Sequence, residues 1–363
     1  MSQDLSPVLR QHAEQQFHEE LDQLARLDDQ PRPKGWKLSP KAVRLYILGG
    51  RLPGGFEISP KYIGRARLVE VAIATLATDR ALLLQGVPGT GKSWLSEHLA
   101  AAVAGDSTLL VQGTAGTDET SLRYGWNYAR LLSEGPSPAA LVPSPVLWAM
   151  QEGRIARVEE LSRVPGEVQD ALITVLSEKA MPVPELRVEV QAKPGFNVIA
   201  TSNDRDRGVH ELSAALLRRF NTITLPTPDS LDEELQIVVQ RVGALGRSLG
   251  LPTERPALEE IRRIVVLFRE LRNGVTEDGR TRLKSPSGSL SPAEAISVIT
   301  SGLALASFYG DGVLRAADLA AGITGTIVRD PVNDRIAWQE YLRTVARDRD
   351  GWKDLYRACQ EQL

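Results

Sequence analysis

The spacing of apolar residues divides the chain into two kinds of segment, and the change lies near residue 225. Before it, short apolar runs typical of buried strands alternate with stretches whose apolar residues recur every three or four positions, as in helices. Strands are predicted at 81–85, 108–111, 153–161, 196–203 and 222–225, and helices at 65–78, 94–103, 146–152, 167–176 and 212–219. This alternation predicts an α/β fold, in which a parallel sheet carries helices on both faces.

Helical spacing dominates both ends of the chain. After residue 226, helices are predicted at 231–249, 257–272, 292–309 and 316–327, with one or two more in 332–363. At the other end, residues 7–27 predict one amphipathic helix, and Ser39 followed by Pro40 indicates the start of another. Three domains are therefore predicted: an N-terminal helical extension (1–60), an α/β core (61–227) and an all-helical region (228–363). The extension could dock on the core or bind a partner.

A glycine-rich loop follows the first predicted strand. It has the spacing G-x-x-x-x-G-K-S and consists of Gly86, Val87, Pro88, Gly89, Thr90, Gly91, Lys92 and Ser93, with Trp94 opening the next helix. Glycines allow backbone N–H groups to converge on phosphate oxygens, and the dipole of the following helix favours the same anion. Lys92 is predicted to reach the β- and γ-phosphates and the Ser93 hydroxyl to bind Mg²⁺. The alternative is a glycine-rich turn that binds nothing.

Two acidic residues end the third predicted strand. Glu159 and Glu160 stand together at the carboxyl end of 153–161. Ligands of open α/β sheets bind in the crevice outside the carboxyl ends of the strands, so both acids are predicted to lie near the bound nucleotide. A solvated pair of charges at a strand end is the alternative.

Composition limits the classes of function. The 363 residues carry 43 Lys and Arg against 46 Asp and Glu, so no overall basic field attracts nucleic acid. Cys359 is the single cysteine and the four histidines are scattered, which argues against a disulfide framework and a zinc site. No apolar run reaches the length that spans a membrane. The sequence therefore predicts a soluble cytoplasmic protein.

Several ordered motifs together resemble the AAA+ ATPases. Residues 63–226 are similar to the MoxR group within them: GVPGTGKS at 86–93, an acidic segment at 159–163, a hairpin before FNVIATSND at 196–204, and ALLRRF at 215–220. The resemblance implies the AAA+ fold, with the helical region 228–363 as the lid, and it implies ATP and Mg²⁺ as ligands.

The resemblance also implies roles for single residues. Glu159 corresponds to the acid on the Mg²⁺ side, Glu160 to the catalytic glutamate that polarises the attacking water, and Asn203 to the sensor that positions this water. Arg219 corresponds to the arginine finger that completes a neighbouring subunit's site, with Arg218 as the alternative. A finger supplied by a neighbour implies a ring of identical subunits, and similar proteins suggest a hexamer.

Two positions depart from the family pattern, Glu159 and Ala293, and Arg157 is unusual for its strand. The family usually has Asp where Glu159 stands, and the longer side chain should change how Mg²⁺ is held. Arg157 lies in a strand expected to be buried on both faces, so it needs an acidic partner or a place near the rim. Ala293 follows Ser291 and Pro292 where the family has its second sensor arginine. Another arginine could serve, or lid closure would be weaker.

The predicted function is an ATP-hydrolysing ring that remodels a client protein or inserts a cofactor into it. A partner with a von Willebrand A domain is suggested by the resemblance, and the loop 113–125 or the hairpin 181–191 would move against the client. ATP is preferred because the base-reading signature of GTPases is absent. A nucleotide-switched scaffold with little turnover is the second hypothesis. A nucleic-acid motor is disfavoured by the balanced charge.

Overall fold

A parallel sheet of five strands lies at the centre of the N-terminal half. Its strands are β1 (Ala81–Gly86), β2 (Leu110–Gln112), β3 (Ile155–Glu159), β4 (Asn197–Asn203) and β5 (Phe220–Thr224), in the spatial order β5-β1-β4-β3-β2. The five predicted strands and their parallel pairing are confirmed. The first four residues of β1, residues 81–84, are apolar and fully buried because helices cover both faces of the sheet.

Alternate residues of β1 supply two separate hydrophobic clusters. Leu82 and Leu84 point into one cluster, and Leu83 points into the other on the opposite face. All three side chains are fully buried. Helices Ala66–Leu76 and Lys92–Ala104 cover the first face, and helices Pro145–Glu152 and Ala171–Glu178 cover the second. The predicted arrangement with helices on both faces is therefore confirmed.

The structure, a computed structural model, describes residues 9–203, 210–251 and 258–363. They form two compact units. Residues up to Gly86 together with Gly91–Leu225 make the first, and Val87–Thr90 together with Pro226–Leu363 make the second. None of the described helices is long and apolar enough to cross a membrane.

The N-terminal segment packs against the sheet and helices of the first unit, to which it belongs. Its helices are Ala13–Gln16, His18–Leu27 and Pro40–Leu48, followed by a hairpin of Gly50–Arg51 and Glu57–Ile58. The single helix predicted at 7–27 is divided at Phe17, whose φ of −116° and ψ of 28° leave the helical region; residues 7 and 8 lie outside the described residues. Leu24, Val43 and Ile47 belong to the same hydrophobic cluster as Leu82. The N-terminal extension therefore docks on the α/β core, which is the first of the two alternatives that the sequence left open.

The segment 113–125 is not the plain loop that its composition predicts. It contains the short helix Glu119–Leu122 and the strand Tyr124–Trp126, which pairs antiparallel with Leu141–Pro143. Strands of three residues show no measurable period, and their partner lies far along the chain, so the sequence pattern could not reveal them. Helix Tyr128–Glu134 between these strands has no buried residue.

Other predicted elements differ in length. The helix predicted at 167–176 is two helices, Gly166–Gln169 and Ala171–Glu178, and the helix predicted at 212–219 is reduced to Ala214–Leu217. The hairpin predicted at 181–191 is confirmed, with strands Ala180–Val183 and Val188–Gln191 joined by a 3₁₀ turn at Pro184–Leu186.

The described elements of the C-terminal unit are helices, apart from an isolated antiparallel bridge between Val275 and Arg282. Its helices are Leu231–Ser248, Leu258–Asn273, Pro292–Tyr309, Ala316–Ile327, Asn333–Tyr341, the π-helical turn Leu342–Ala346 and Lys353–Gln360. Trp338 and Trp352 belong to its hydrophobic core, and the Trp338 ring stacks on Tyr341 at 5.8 Å between centroids.

A buried ion pair network joins two helices of this unit. Glu234 is fully buried and accepts two hydrogen bonds from Arg272, at 2.9 Å and 2.6 Å, and one from Arg269 at 3.2 Å. Both arginines lie on helix Leu258–Asn273, whereas Glu234 lies on helix Leu231–Ser248. The network fixes these helices side by side.

We expect Glu234→Gln to lower the free energy of unfolding by about 3 kcal/mol, because removing one partner leaves buried charge without compensation. Urea unfolding of the full chain measures this change. Asp232→Asn, at an exposed acid of the same helical turn, is the matched control and should cost at most about 1 kcal/mol. Equal losses in both variants would contradict a stabilising role for the network.

Candidate nucleotide-binding site

The glycine-rich loop joins β1 to helix Lys92–Ala104. Gly89 and Gly91 adopt φ values of 81° and 83°, in the left-handed region that favours glycine. The Thr90 hydroxyl donates to the Val87 carbonyl at 3.0 Å, and the buried Lys92 ammonium donates to the Gly86 carbonyl at 2.8 Å. The loop therefore opens a helix N-terminus with a lysine beside it, which is an arrangement suited to phosphate.

Trp94, predicted to belong to the same site, faces the N-terminal segment. Its indole N–H donates to the Lys61 carbonyl at 2.8 Å, and its ring lies 4.1 Å from the His98 ring and 6.5 Å from Phe17. The first turn of helix Lys92–Ala104, which we call the phosphate-loop helix, thus packs against the N-terminal segment through Trp94.

The Glu159 carboxylate is the most heavily bonded group at the strand ends. One oxygen accepts from the Ser93 hydroxyl at 2.7 Å and the Thr201 hydroxyl at 2.6 Å. The other accepts from Arg157 at 2.8 Å and from the Ser96 hydroxyl. Glu159 is only 3% exposed, so this set of donors replaces the water that a carboxylate would otherwise bind.

Arg157 has the acidic partner that its position in a buried strand requires. Arg157 and Glu159 are two residues apart on β3, so their side chains leave the same face of the sheet. The guanidinium also donates to the carbonyls of Ser107 and Ser93, at 3.1 Å and 3.2 Å. Of the two alternatives left open by the sequence, the acidic partner is the one observed.

Glu160 follows the strand in an unusual backbone conformation. Its φ of 55° and ψ of 44° lie in the left-handed region, which costs about 1–2 kcal/mol for a residue other than glycine. Its N–H donates to the Thr201 hydroxyl at 3.0 Å, and both carboxylate oxygens accept from the Asn203 amide, at 3.0 Å and 2.8 Å. Arg163 approaches the same carboxylate at 3.4 Å. The strained turn therefore aims Glu160 at Asn203.

Strand register brings these groups to one edge. Asn203, the last residue of β4, pairs with Gly86, the first residue of the glycine-rich loop. Hydrogen bonds that pass through the Thr201 hydroxyl thus connect Ser93, Glu159, Glu160 and Asn203 beside the carboxyl ends of β1, β3 and β4. Their catalytic and metal-binding roles remain predictions.

Three residues of this site are absent from the sequence prediction. The Ser96 and Thr201 hydroxyls bind Glu159, and Gly113 lets the backbone after β2 approach closely, since a Cβ there would lie 2.4 Å from the Glu160 carbonyl oxygen. Ser96 is one helical turn after Ser93, and this spacing was the available signal. Nothing in the local sequence marks Thr201 or Gly113.

Arg218 and Arg219 lie apart from this group. Phe220 pairs with Ala81, at the opposite end of β1 from the glycine-rich loop. Five residue steps of about 3.3 Å separate the two ends by about 16 Å, which is more than an arginine side chain spans. The Arg219 guanidinium donates to Ser177 at 2.8 Å, and Arg218 is exposed. Neither side chain reaches the loop of its own chain.

Ala293 lies in the first turn of helix Pro292–Tyr309, which Ser291 caps. Within the C-terminal unit, Arg329 forms an ion pair with Glu294 in this same turn. An arginine is therefore present near the helix start, although it comes from another part of the chain.

The donor set fits Mg²⁺. Ser93 and Glu159 offer hydroxyl and carboxylate oxygens, the hard ligands that Mg²⁺ takes. Among the described residues, no group of three or more His, Cys, Asp or Glu side chains could hold a metal alone. Mg²⁺ is commonly bound through one or two protein oxygens together with substrate phosphates, and this site matches that pattern.

The environment of Glu159 stabilises its ionised form. Burial alone would raise the pKa of this carboxyl, but the Arg157 guanidinium and the hydroxyls of Ser93, Ser96 and Thr201 outweigh burial and hold the pKa below its usual range. A carboxylate with a lowered folded-state pKa contributes stability that is present above its unfolded-state pKa of about 4.3 and is lost as the pH falls through the folded-state pKa.

We therefore expect the melting temperature of the wild type to fall more steeply between pH 5 and pH 3 than that of Glu159→Gln. The variant should be less stable at pH 7, because it loses the charge that pairs with Arg157. Glu152→Gln, at an exposed glutamate, is the control and should keep the wild-type slope. Parallel curves for wild type and Glu159→Gln would show that this carboxyl does not contribute.

Two domain families match separate parts of the chain. Residues 81–220 match the AAA domain of the dynein-related subfamily. Residues 233–361 match the YehL-like AAA+ ATPase C-terminal domain. These matches confirm the predicted AAA+ assignment, whereas the narrower placement in the MoxR group stays a prediction.

Similar proteins extend this result. The uncharacterized protein YehL of Escherichia coli K12 is 40% identical over 94% of both chains. An uncharacterized protein of Staphylococcus aureus USA300 is 31% identical over 42% of this chain and 57% of its own. The crystal structure of NtrX from Brucella abortus in complex with ADP shares the fold at 14% identity, with a TM-score of 0.51, over 75% of this chain and 57% of NtrX. The chain belongs to the YehL family of AAA+ ATPases.

Proposed function

We propose that this protein hydrolyses ATP to ADP and phosphate at the carboxyl ends of β1, β3 and β4. The observation that carries the proposal is the Glu160 carboxylate, which the Asn203 amide holds at 2.8 Å and 3.0 Å beside the start of the glycine-rich loop. A carboxylate and an amide at this position could orient one water molecule against a terminal phosphate.

Each part of the site has a role in this proposal. The backbone of residues 86–93 binds the phosphates, Lys92 interacts with the β- and γ-phosphates, and Trp94 lies at the nucleotide end of the helix. Ser93 and Glu159 would hold Mg²⁺, which offsets phosphate charge when bound. Glu160 takes the proton of the attacking water, and Asn203 orients it.

An arginine from a neighbouring subunit would complete the site. Support comes from the separation of about 16 Å between the two ends of β1, which keeps Arg219 and Arg218 away from the loop of their own chain. A positive charge at the γ-phosphate can be worth about 10³–10⁵ in rate. We therefore propose a ring of identical subunits, a hexamer by similarity to the MoxR group.

The proposed work of the ring is to remodel a client protein or to insert a cofactor into it, together with a partner that contains a von Willebrand A domain. This part of the proposal depends on the resemblance to the MoxR group. The single cysteine supports a reducing compartment such as the cytoplasm. The hairpin of Ala180–Val183 and Val188–Gln191 is the element proposed to move against the client.

A nucleotide-switched scaffold with little turnover is the second candidate. The observation that favours it is the Glu159 carboxylate, which already accepts four hydrogen bonds from protein donors. A protein of this kind would bind ATP and release no ADP at any protein concentration.

We expect Glu160→Gln to bind ATP with nearly wild-type affinity and to hydrolyse it at least about 100-fold more slowly, because the water loses its base. Binding is measured by calorimetry and turnover by phosphate release. Glu167→Gln, at an exposed glutamate outside the network, is the control and should keep wild-type turnover. Unchanged turnover in Glu160→Gln would exclude the proposed base.

Mixing two inactive variants tests whether sites are shared between subunits. Arg219→Ala retains Glu160, and Glu160→Gln retains Arg219, so a mixed ring contains some complete interfaces. We expect each variant alone to be inactive and the mixture to regain part of the wild-type rate. If Arg218 is the finger, Arg218→Ala will complement in place of Arg219→Ala. No recovery with either arginine variant would contradict a shared site.

A further inference from the structure

Arg157 and Glu159, the latter in place of the family's usual Asp, form one bonded unit on β3. We propose that Arg157 neutralises the Glu159 carboxylate beside the glycine-rich loop. The resulting ion pair keeps the affinity for Mg²⁺ low until nucleotide phosphates are present. The inference rests on the proposed function and assigns Arg157 as a positioning residue for the metal site.

Arg157 is built into the site rather than placed at its rim. It is 5% exposed, and all three nitrogens of its guanidinium donate hydrogen bonds. Nε binds the Ser96 hydroxyl at 3.1 Å, and this hydroxyl also contacts Glu159. NH2 binds both the Glu159 carboxylate and the Ser93 carbonyl. The guanidinium thus contacts both residues predicted to hold Mg²⁺.

Protein donors occupy all the acceptor sites of the Glu159 carboxylate. An ionised carboxylate offers about four acceptor sites, and Glu159 fills them with two donors on each oxygen. A metal ion that bonded directly to Glu159 would have to displace one of these donors. The exposed Ser93 hydroxyl already donates to Glu159. A metal bound to this hydroxyl would therefore be influenced by the carboxylate while all four donors to the carboxylate stay in place.

Charge leads to the same conclusion. The guanidinium lies 2.8 Å from the carboxylate, so a cation near Ser93 meets an ion pair rather than a free negative charge. Attraction to the carboxylate is then largely offset by repulsion from the arginine. Triphosphate oxygens bring the missing negative charge, and the metal is held when they arrive.

A purely structural role for Arg157 is the competing explanation. In that case, removing the arginine would lower stability and leave the Mg²⁺ requirement unchanged. The charge account differs, because it makes the effects of Arg157 and Glu159 on metal affinity opposite in sign and mutually compensating.

A double-mutant cycle separates these explanations. The probe is a fluorescent, non-hydrolysable ATP analogue, and the readout is the Mg²⁺ concentration that half-maximally strengthens its binding. Compared with wild type, Arg157→Gln should lower this concentration about tenfold and Glu159→Gln should raise it about tenfold. The double variant should return to within about threefold of wild type, because the net charge of the pair is restored.

Arg154→Gln is the matched control, since this arginine lies on the same segment and pairs with Asp106 instead. It should leave the Mg²⁺ requirement unchanged. If Arg157→Gln does not fold, the comparison of Glu159→Gln with the double variant still decides the question. A double variant as impaired as Glu159→Gln overturns the inference, and so does an Arg157→Gln variant that folds and keeps the wild-type requirement.

The same titration distinguishes this inference from the proposed function. If the wild type binds the analogue but the cycle shows no compensation, only the role of Arg157 is excluded. If the wild type fails to bind at every Mg²⁺ concentration, the proposed ATPase function fails as well.

Discussion

The buried Glu159 carboxylate is the constraint on which the rest of this site depends. A negative charge that is 3% exposed requires donors on every side, and it recruits them from the phosphate-loop helix, from its own strand and from the neighbouring strand. The hydrogen bonds fix the relative positions of these three elements. The strand ends are therefore held together before any ligand is considered.

Thr201 carries this constraint to the proposed catalytic glutamate. Its hydroxyl donates to the Glu159 carboxylate at 2.6 Å and accepts the Glu160 N–H at 3.0 Å. The N–H bond supports the left-handed turn at Glu160, and this turn directs the side chain to Asn203. One hydroxyl thus couples the predicted metal side of the site to its predicted water side. On the outer face, the docked N-terminal helices hold the phosphate-loop helix through Phe17 and Trp94.

The sequence predicted those features that depend on local pattern. Five apolar runs, such as the one through Leu82, predicted the five strands. The spacing of the loop around Lys92 predicted the phosphate site. Features that depend on the pairing of distant segments were missed. The Thr201 hydroxyl, for example, contacts Glu159 and Glu160 only because β4 lies beside β3. The same reason explains the short hairpin at Tyr124–Trp126, whose partner strand begins at residue 141. Arg157 was recognised as needing an acid, and the period of two residues in a strand, which places Glu159 on the same face, was the signal that could have identified its partner.

The glycine-rich loop and the acidic strand end together form the proposed ATP site. The most direct test is calorimetric titration of ATP, with Mg²⁺, into wild type and Lys92→Ala. We expect saturable binding of one ATP per wild-type chain, and at least about tenfold weaker binding by the variant, because the ammonium predicted to contact the phosphates is lost. Absence of binding to the wild type, or equal affinity in both proteins, would contradict this proposal.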